Sequence, residues 1–414
     1  MNEMTIRTTP ASRREGTVMG IRNNKKRLAV AAIAIAGLAG GAVAAHAATF
    51  GDVVAAGALP PAAFPSIAPT CTADCSVTLD AGTGSVAVQD TVNGVQTIPF
   101  YGFGVNGAPS SLAGSPNSTI KVPEGTTITI TLGQTGVGGA IDLSFPSLPA
   151  SDVSHVGAVY TVHATNVGTS VFQPGSNADA PKQVAMGLVG VLIVTPTGCT
   201  SATLSCGYVG DAGYTDEALA ATTDLDAEFA SNPAAFDMSY FGQPVNADGT
   251  ARRVYHVLNG KSFPDTDVID VHAGDGVLLR SVNAGVSDKS MSLLGIRQTL
   301  LGRNSSAYTD PQTLVAPLVG PGETADIAVQ IPSTAAADQR YALVDAGRQM
   351  NHGNGYGFGG ALTFFNVWPT PAPIAPLAIE TPVVNGTPAA DATSTDTNIV
   401  TTEGSTGAAA VTNP

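Results

Sequence analysis

The same series of short strand-like stretches occurs twice in this chain. Asn-Gly turns at residues 106–107 and 259–260 are each followed by a pair of apolar, alternating stretches. These pairs read TIKVPEGTTITITL at 119–132 and VIDVHAGDGVLLRSV at 268–282. Repeated short strands with turn residues between them are typical of β-sandwiches. We therefore predict an all-β protein made of two tandem Greek-key β-sandwich domains.

The first 47 residues are typical of an export signal. A basic region around Lys25 precedes an Ala/Gly-rich apolar run at 28–45, and Ala45-His46-Ala47 is a small-residue cleavage motif. We predict cleavage after Ala47 and a secreted or cell-surface protein without stable membrane insertion. An uncleaved anchor is the alternative, because about 18 apolar residues approach the length that spans a bilayer. Met19 is an alternative start.

Changes of composition divide the chain into six predicted parts. Strand patterns occupy two long regions, and the regions around them are rich in Ala, Pro, Thr or acidic residues. The predicted parts are a signal peptide (1–47), a lead-in (48–75), a first sandwich (76–198), a linker with a cysteine pair and an acidic helical piece (199–250), a second sandwich (251–369) and a disordered Thr/Ala/Pro-rich tail (370–414).

The four cysteines come in two close pairs. Cys71 and Cys75 are four residues apart, and Cys199 and Cys206 are seven residues apart. In an exported protein the simplest expectation is one local disulfide in each pair, although long-range pairings stay open. Neither pair has the spacing or the histidines of a zinc site.

The charge of the chain excludes one class of partner. The formal net charge is −14, and removal of residues 1–47 leaves 11 basic and 30 acidic side chains. A surface this acidic repels nucleic acid. We therefore expect no nucleic-acid partner.

Longer stretches of both halves resemble multicopper oxidases. In the second half the similar strings are 255–285 and GYGFGGALTFFNV at 355–367, and in the first half the string is YTVHATNVGTSVFQ at 160–173. Together the similarity covers about residues 95–368 and is to the two-domain type, which includes two-domain laccases and copper nitrite reductases. The resemblance implies a cupredoxin fold in each half. It also implies copper that passes electrons from a reductant to oxygen or nitrite.

The copper ligands that this resemblance implies are missing. A blue-copper site needs a thiolate and two imidazoles, yet no cysteine follows Cys206. We therefore predict that the copper sites are lost and that no cofactor is used, with copper only under the alternative below. The ligand positions hold Ser144, Pro146, Gln173 and Gly175 in the first half, and Lys289, Ser292, Leu294, Val344, Asp345, Ala346 and Met350 in the second.

Four residues are the candidate pocket that replaces the second-domain copper. Lys289 and Asp345 occupy positions that would both face the copper in the family, so we predict an ion pair between them with Arg348 nearby, since a buried charge needs a partner. His352 lies in the glycine-rich loop that follows. The pattern assigns no catalytic residue and no metal ligand.

These patterns support two functions. The first is a secreted multicopper-oxidase-like protein that acts as a binding or structural module and can form a homo-oligomer, with a protein, glycan or small molecule as its unidentified partner. This protein would not be an enzyme. The alternative is a laccase-like, copper-dependent oxidoreductase with a non-standard copper site.

Overall fold

The structure is a computed structural model that describes residues 67–90, 92–197, 206–208, 213–347 and 358–368. The predicted signal peptide and tail lie outside these residues, as do Cys199, Arg348 and His352. Within the described ranges, no helix is long and apolar enough to cross a membrane.

The first half of the described chain is a sandwich of two sheets. Its elements are β1 (Cys75–Asp90), β2 (Gly94–Val105), β3 (Thr119–Pro123), β4 (Thr127–Gln134), β5 (Val153–Val156), β6 (Val159–His163), β7 (Gly168–Phe172), α1 (Ala180–Ala185) and β8 (Gly190–Thr195). One sheet has the order β2-β1-β4-β6-β5 and the other β3-β8-β7. Alternation explains the packing: Ile128 and Ile130 of β4 point inward and meet Leu192 of β8 in one apolar cluster.

The second half repeats this arrangement with larger sheets. Its elements are β9 (Asp216–Asp226), α2 (Ala227–Ser231), β10 (Val254–Leu258), β11 (Ile269–His272), β12 (Gly276–Asn283), β13 (Lys289–Leu293), β14 (Gln298–Arg303), β15 (Ser306–Leu314), β16 (Leu318–Val319), β17 (Thr324–Gln330), β18 (Arg340–Asp345) and β19 (Leu362–Trp368). The sheet orders are β10-β9-β12-β17-β14-β15 and β11-β19-β18-β13-β16. A second apolar cluster, which includes Leu279 and Phe365, lies between them.

Matching strands of the two halves pair in the same directions. β1 runs parallel to β4 and β9 runs parallel to β12, while β3 with β8 and β11 with β19 form the other parallel pairs. Asn106 and Asn259 have nearly equal positive φ angles, 52° and 50°, and each is followed by a glycine at 76°. These shared features confirm the predicted fold class of two tandem β-sandwiches.

The two halves share a buried ionic cluster centred on Arg280. This side chain is fully buried on β12, and its Nε and Nη1 donate to Glu217 Oε1 at 2.5 Å and to Asp326 Oδ1 at 3.1 Å. Lys121 of the first half binds Glu217 at 2.5 Å, and Thr169, also of the first half, donates through its hydroxyl to Asp326. Burial raises the pKa of Glu217, but Arg280 and Lys121 outweigh it and lower the pKa to about 2. The cluster therefore links β3 to the second sandwich through an ion pair and β7 through a hydrogen bond.

The acidic piece of the predicted linker is a strand, so the helical prediction for it is wrong. Residues Asp216–Asp226 form β9, which pairs with β10 and β12, and the helix is confined to Ala227–Ser231. β9 is buried on both faces: Ala220 packs into the core of the second sandwich, and Leu219 packs into a cluster shared with the first. A strand buried on both faces shows no alternation of apolar and polar residues.

The cysteines agree with the predicted pairing as far as they are described. Cys71 and Cys75 form a disulfide, which confirms the first predicted pair. Cys206 is also in a disulfide. Its predicted partner Cys199 lies outside the described residues, so that pairing stays a prediction.

A carboxyl group at the start of β9 makes stability depend on pH. Burial and the neighbouring Asp275 raise the pKa of Asp216 to about 6. Because the folded state binds this proton more tightly, the stabilisation is present below about pH 4 and is lost as pH rises through about 6. We expect Asp216→Asn to gain about 1 kcal/mol relative to wild type between about pH 4 and about pH 8, after allowance for solvent screening.

Urea denaturation of both proteins at the two pH values measures this difference. Asp265→Asn, which removes an exposed carboxylate elsewhere, is the matched control and should follow the wild type. Parallel stability curves for Asp216→Asn and wild type would contradict the prediction.

Candidate functional site

Lys289, which the sequence resemblance predicts to lie at a copper-ligand position of the second domain, has a buried side chain. Side chains of β13 alternate, so Lys289 points to the inner face with Met291 and Leu293. It is 1% exposed. Its Nζ donates to Asp224 Oδ1 at 2.6 Å and to Ser287 Oγ at 2.7 Å. An ammonium group held by oxygen acceptors therefore lies at this position.

Asp224 is the centre of the contacts around this lysine. Its Oδ1 also lies 2.6 Å from His256 Nδ1, and its Oδ2 accepts the backbone N–H groups of Val286 and Ser287 at 3.1 and 3.0 Å. The hydroxyl of Ser287 donates to the same oxygen at 2.6 Å. Burial raises the pKa of Asp224, but the hydrogen bond from His256 and the charge of Lys289 hold it well below its usual range. The carboxylate is therefore ionised at neutral pH.

The local backbone explains why these groups meet. Strand pairing places His256 of β10 directly opposite Asp224 of β9. The loop after β12 passes so close that a Cβ at Gly285 would lie 2.6 Å from Asp224 Oδ2. Only glycine permits this approach, so the loop can direct two N–H groups at one carboxylate oxygen.

The predicted ion pair between Lys289 and Asp345 is wrong, because Lys289 binds Asp224 instead. The Asp345 side chain is fully buried, and its Oδ1 accepts the backbone N–H groups of Ser290 and Gly347 at 3.1 and 2.9 Å. Asp345 thus stabilises the end of β18 rather than neutralising a lysine.

Two of the four candidate residues cannot be placed with these groups. Arg348 and His352 lie outside the described residues, so their part in a pocket stays a prediction. Asp224, His256 and Ser287 were not among the candidates. Asp224 lies in the segment predicted to be a helical linker, so the prediction did not place it on a β-strand.

The two first-half segments that hold the ligand positions implied by the resemblance, around Ser144 and Gln173, lie side by side. Ser144 and Gln173 form a bridge with N···O distances of 2.7 and 3.0 Å. A Cβ at Gly175 would lie 2.8 Å from Ser144 Cβ. Ser144 therefore lies beside Gln173 and Gly175, and none of these residues carries an imidazole.

A cavity of about 440 Å³ adjoins these segments. Ser144, Phe145, Pro146 and Gly175 are among the residues that line it. Asp142 is also in the lining, but its carboxylate already accepts hydrogen bonds from residues 175–177. Burial raises the pKa of Asp142, and these hydrogen bonds outweigh it and hold the pKa well below its usual range. The cavity has the size of a small-molecule site but offers few free polar groups.

Solved structures with a similar fold include copper oxidases. The blue copper oxidase from Nitrosomonas europaea is 20% identical with a TM-score of 0.52, over 70% of this chain and 85% of that one. The multicopper oxidase mgLAC is 17% identical with a TM-score of 0.53, over 75% of this chain and 90% of that one. The chain therefore has the two-domain cupredoxin fold of multicopper oxidases.

Sequence comparison gives a shorter match of the same kind. The protein named "Putative laccase-9" from Oryza sativa subsp. japonica is 33% identical over 89 residues, which is 20% of this chain and only 15% of that protein. No family model matches the sequence.

The prediction that no cofactor is used is contradicted by these comparisons. Structural neighbours that share the fold over most of the chain are copper oxidases by name. Copper is therefore the cofactor that the fold implies. A copper site would require the described side chains to supply suitable ligands.

The described residues do not fit a copper ion at either position. Copper of the blue type prefers thiolate and imidazole ligands. The second half supplies the ammonium of Lys289 with a carboxylate that is already bound, and the first half supplies Ser144 and Gln173. Within residues 67–347 and 358–368, apart from the gaps given above, no cluster of three or more His, Cys, Asp or Glu could hold a metal ion.

Proposed function

We propose that this chain acts outside the cytoplasm as a binding or structural module with a multicopper-oxidase-like fold. In this proposal the Lys289–Asp224 pair takes the position of the second-domain blue-copper site. The observation that supports it most is the 1% exposure of the Lys289 side chain together with its 2.6 Å contact to Asp224. A buried ammonium repels a metal cation, and moving it out would leave Asp224 buried without its partner.

Export is part of the same proposal. It is supported by the basic region, apolar run and cleavage motif of residues 1–47. A homo-oligomer, and a protein, glycan or small molecule as ligand, stay predictions. The cavity beside Ser144 is a place where a small molecule could bind.

The second candidate is a laccase-like, copper-dependent oxidoreductase with a non-standard site. The names of the structural neighbours favour it. Met350 and His352, which lie outside the described residues, carry side chains that copper accepts.

Copper loading of the purified full chain separates the two candidates. The protein is stripped of metal, reconstituted with Cu(II) and dialysed, and then copper per chain, the visible spectrum and oxygen consumption with a phenolic reductant are measured. We expect neither an intense thiolate-to-copper absorption band nor oxygen consumption. Stoichiometric copper with oxidase activity would establish the second candidate instead.

Lys289→Leu is the matched variant for this experiment. It removes the positive charge and adds no side chain that copper accepts. If the proposal holds, the variant also lacks the intense absorption band. If the wild type consumes oxygen and the variant does not, Lys289 supports a copper reaction and the proposal is wrong.

A further inference from the structure

A groove lies on the segment that joins β9 to β10. This segment contains α2, a 3₁₀ turn at Met238–Tyr240 and a second turn at 246–249. The groove has a volume of about 500 Å³. Phe236 and Tyr240 give it aromatic walls, Asn232 contributes an amide, and Glu228, Asp237 and Asp248 contribute carboxylates.

Neighbouring side chains hold the aromatic wall of the groove in place. Phe229 is fully buried, and its ring centroid lies 5.3 Å from that of Phe236 and 5.2 Å from that of Phe241. The guanidinium of Arg252 lies 4.8 Å from the Phe236 ring and forms an ion pair with Asp226. Because these contacts fix the wall without a ligand, binding would require little ordering of side chains.

The carboxylates of the groove differ in their partners. Glu228 is neutralised by Arg253 at 2.8 Å. Asp237 and Asp248 accept hydrogen bonds from residues two positions further on in their own turns, at 2.9 Å. Among the residues that the structure describes, neither has an ion-pair partner within 4.0 Å. Two negative charges without a cation therefore stand at a groove with aromatic walls.

We infer that this groove binds an organic cation, that is, an ammonium or guanidinium group on an aliphatic or aromatic body. Among the described residues, Arg253 competes for Glu228, but no lysine or arginine pairs with Asp237 or Asp248. Aromatic faces attract cations and also cover an apolar body. A neutral saccharide would use the aromatic and amide groups but would gain no attraction from the charges of Asp237 and Asp248.

This ligand chemistry has two sources, a free polyamine and the basic side chains of a peptide. The groove lies on the β9–β10 segment, apart from the residues at the copper positions. The inference therefore holds under either candidate function, and its failure would leave both of them standing.

Isothermal titration calorimetry of the full chain tests the inference with three probes: spermidine, trilysine and the neutral disaccharide cellobiose. The groove variant is Asp237→Asn/Asp248→Asn. Both positions are exposed, so the variant should fold normally, which circular dichroism checks. The matched control is Asp265→Asn/Asp310→Asn, which removes two exposed carboxylates outside the groove lining.

We expect saturable binding of spermidine or trilysine that weakens about tenfold or more in the groove variant and less than about twofold in the control. The probe that binds more tightly indicates the source. An equal loss in both variants would mean that the acidic surface attracts cations without a site. Preferential binding of cellobiose, or no saturable binding of either cation, would also overturn the inference.

Discussion

Replacing Asp224 with alanine is expected to lower the free energy of unfolding by about 3–5 kcal/mol. The change removes the carboxylate that accepts hydrogen bonds from Lys289, His256 and the loop after β12. Lys289 is 1% exposed, so its charge would stay buried without its carboxylate. Chemical denaturation at neutral pH, read by far-UV circular dichroism, measures the loss.

Two further variants show whether the ion pair is the cause. Asp310→Ala removes an exposed carboxylate and should change stability by less than about 0.5 kcal/mol. The double variant Asp224→Ala/Lys289→Met should recover part of the loss, because it leaves no buried charge at this position. A single variant Asp224→Ala as stable as Asp310→Ala would contradict this account of the site.

The fold could be predicted because both halves repeat one series of strands. Many of these strands alternate between apolar and polar residues, and this alternation is visible in the sequence. β4 alternates, with Ile128 and Ile130 buried between threonines, and the Asn-Gly turn after Val105 returns after Leu258. β9 could not be predicted in this way. It contributes side chains to cores on both of its faces, so its sequence has no polar face.

The candidate site could be predicted only in part, for a related reason. The resemblance places Lys289 at a copper position. Because its charge is buried, it needs an oppositely charged partner. The partner is not the residue at the neighbouring copper position. It is Asp224, 65 residues earlier in the chain, which lies on β9 in one sheet and reaches Lys289 of β13 in the other. A contact between two sheets of the sandwich leaves no signal in one sequence.

Replacing Arg280 with methionine is expected to cost about 3–5 kcal/mol of stability at neutral pH. Arg280 is fully buried and contacts Glu217 and Asp326. Without it, Asp326 would stay in the interior without this ion pair, and Glu217 would keep only Lys121. Methionine keeps much of the side-chain volume, so the loss of stability is caused mainly by removal of the positive charge. Urea denaturation measures it, with Arg303→Met as the control: that arginine is 25% exposed and lies 3.6 Å from Glu323, so its removal should cost less than about 1 kcal/mol.

The pH dependence of this loss distinguishes charge from packing. Glu217 has a folded pKa of about 2, below its ordinary value of 4.5, so in the wild type it contributes stability that is present above about 4.5 and is lost as pH falls through about 2. In Arg280→Met the pKa of Glu217 should rise, because burial would no longer be opposed by the guanidinium. The difference between wild type and variant should therefore shrink as the pH is lowered from about 7 to about 3. A difference that stays constant over this range would mean that Arg280 stabilises the two halves through packing rather than through its charge.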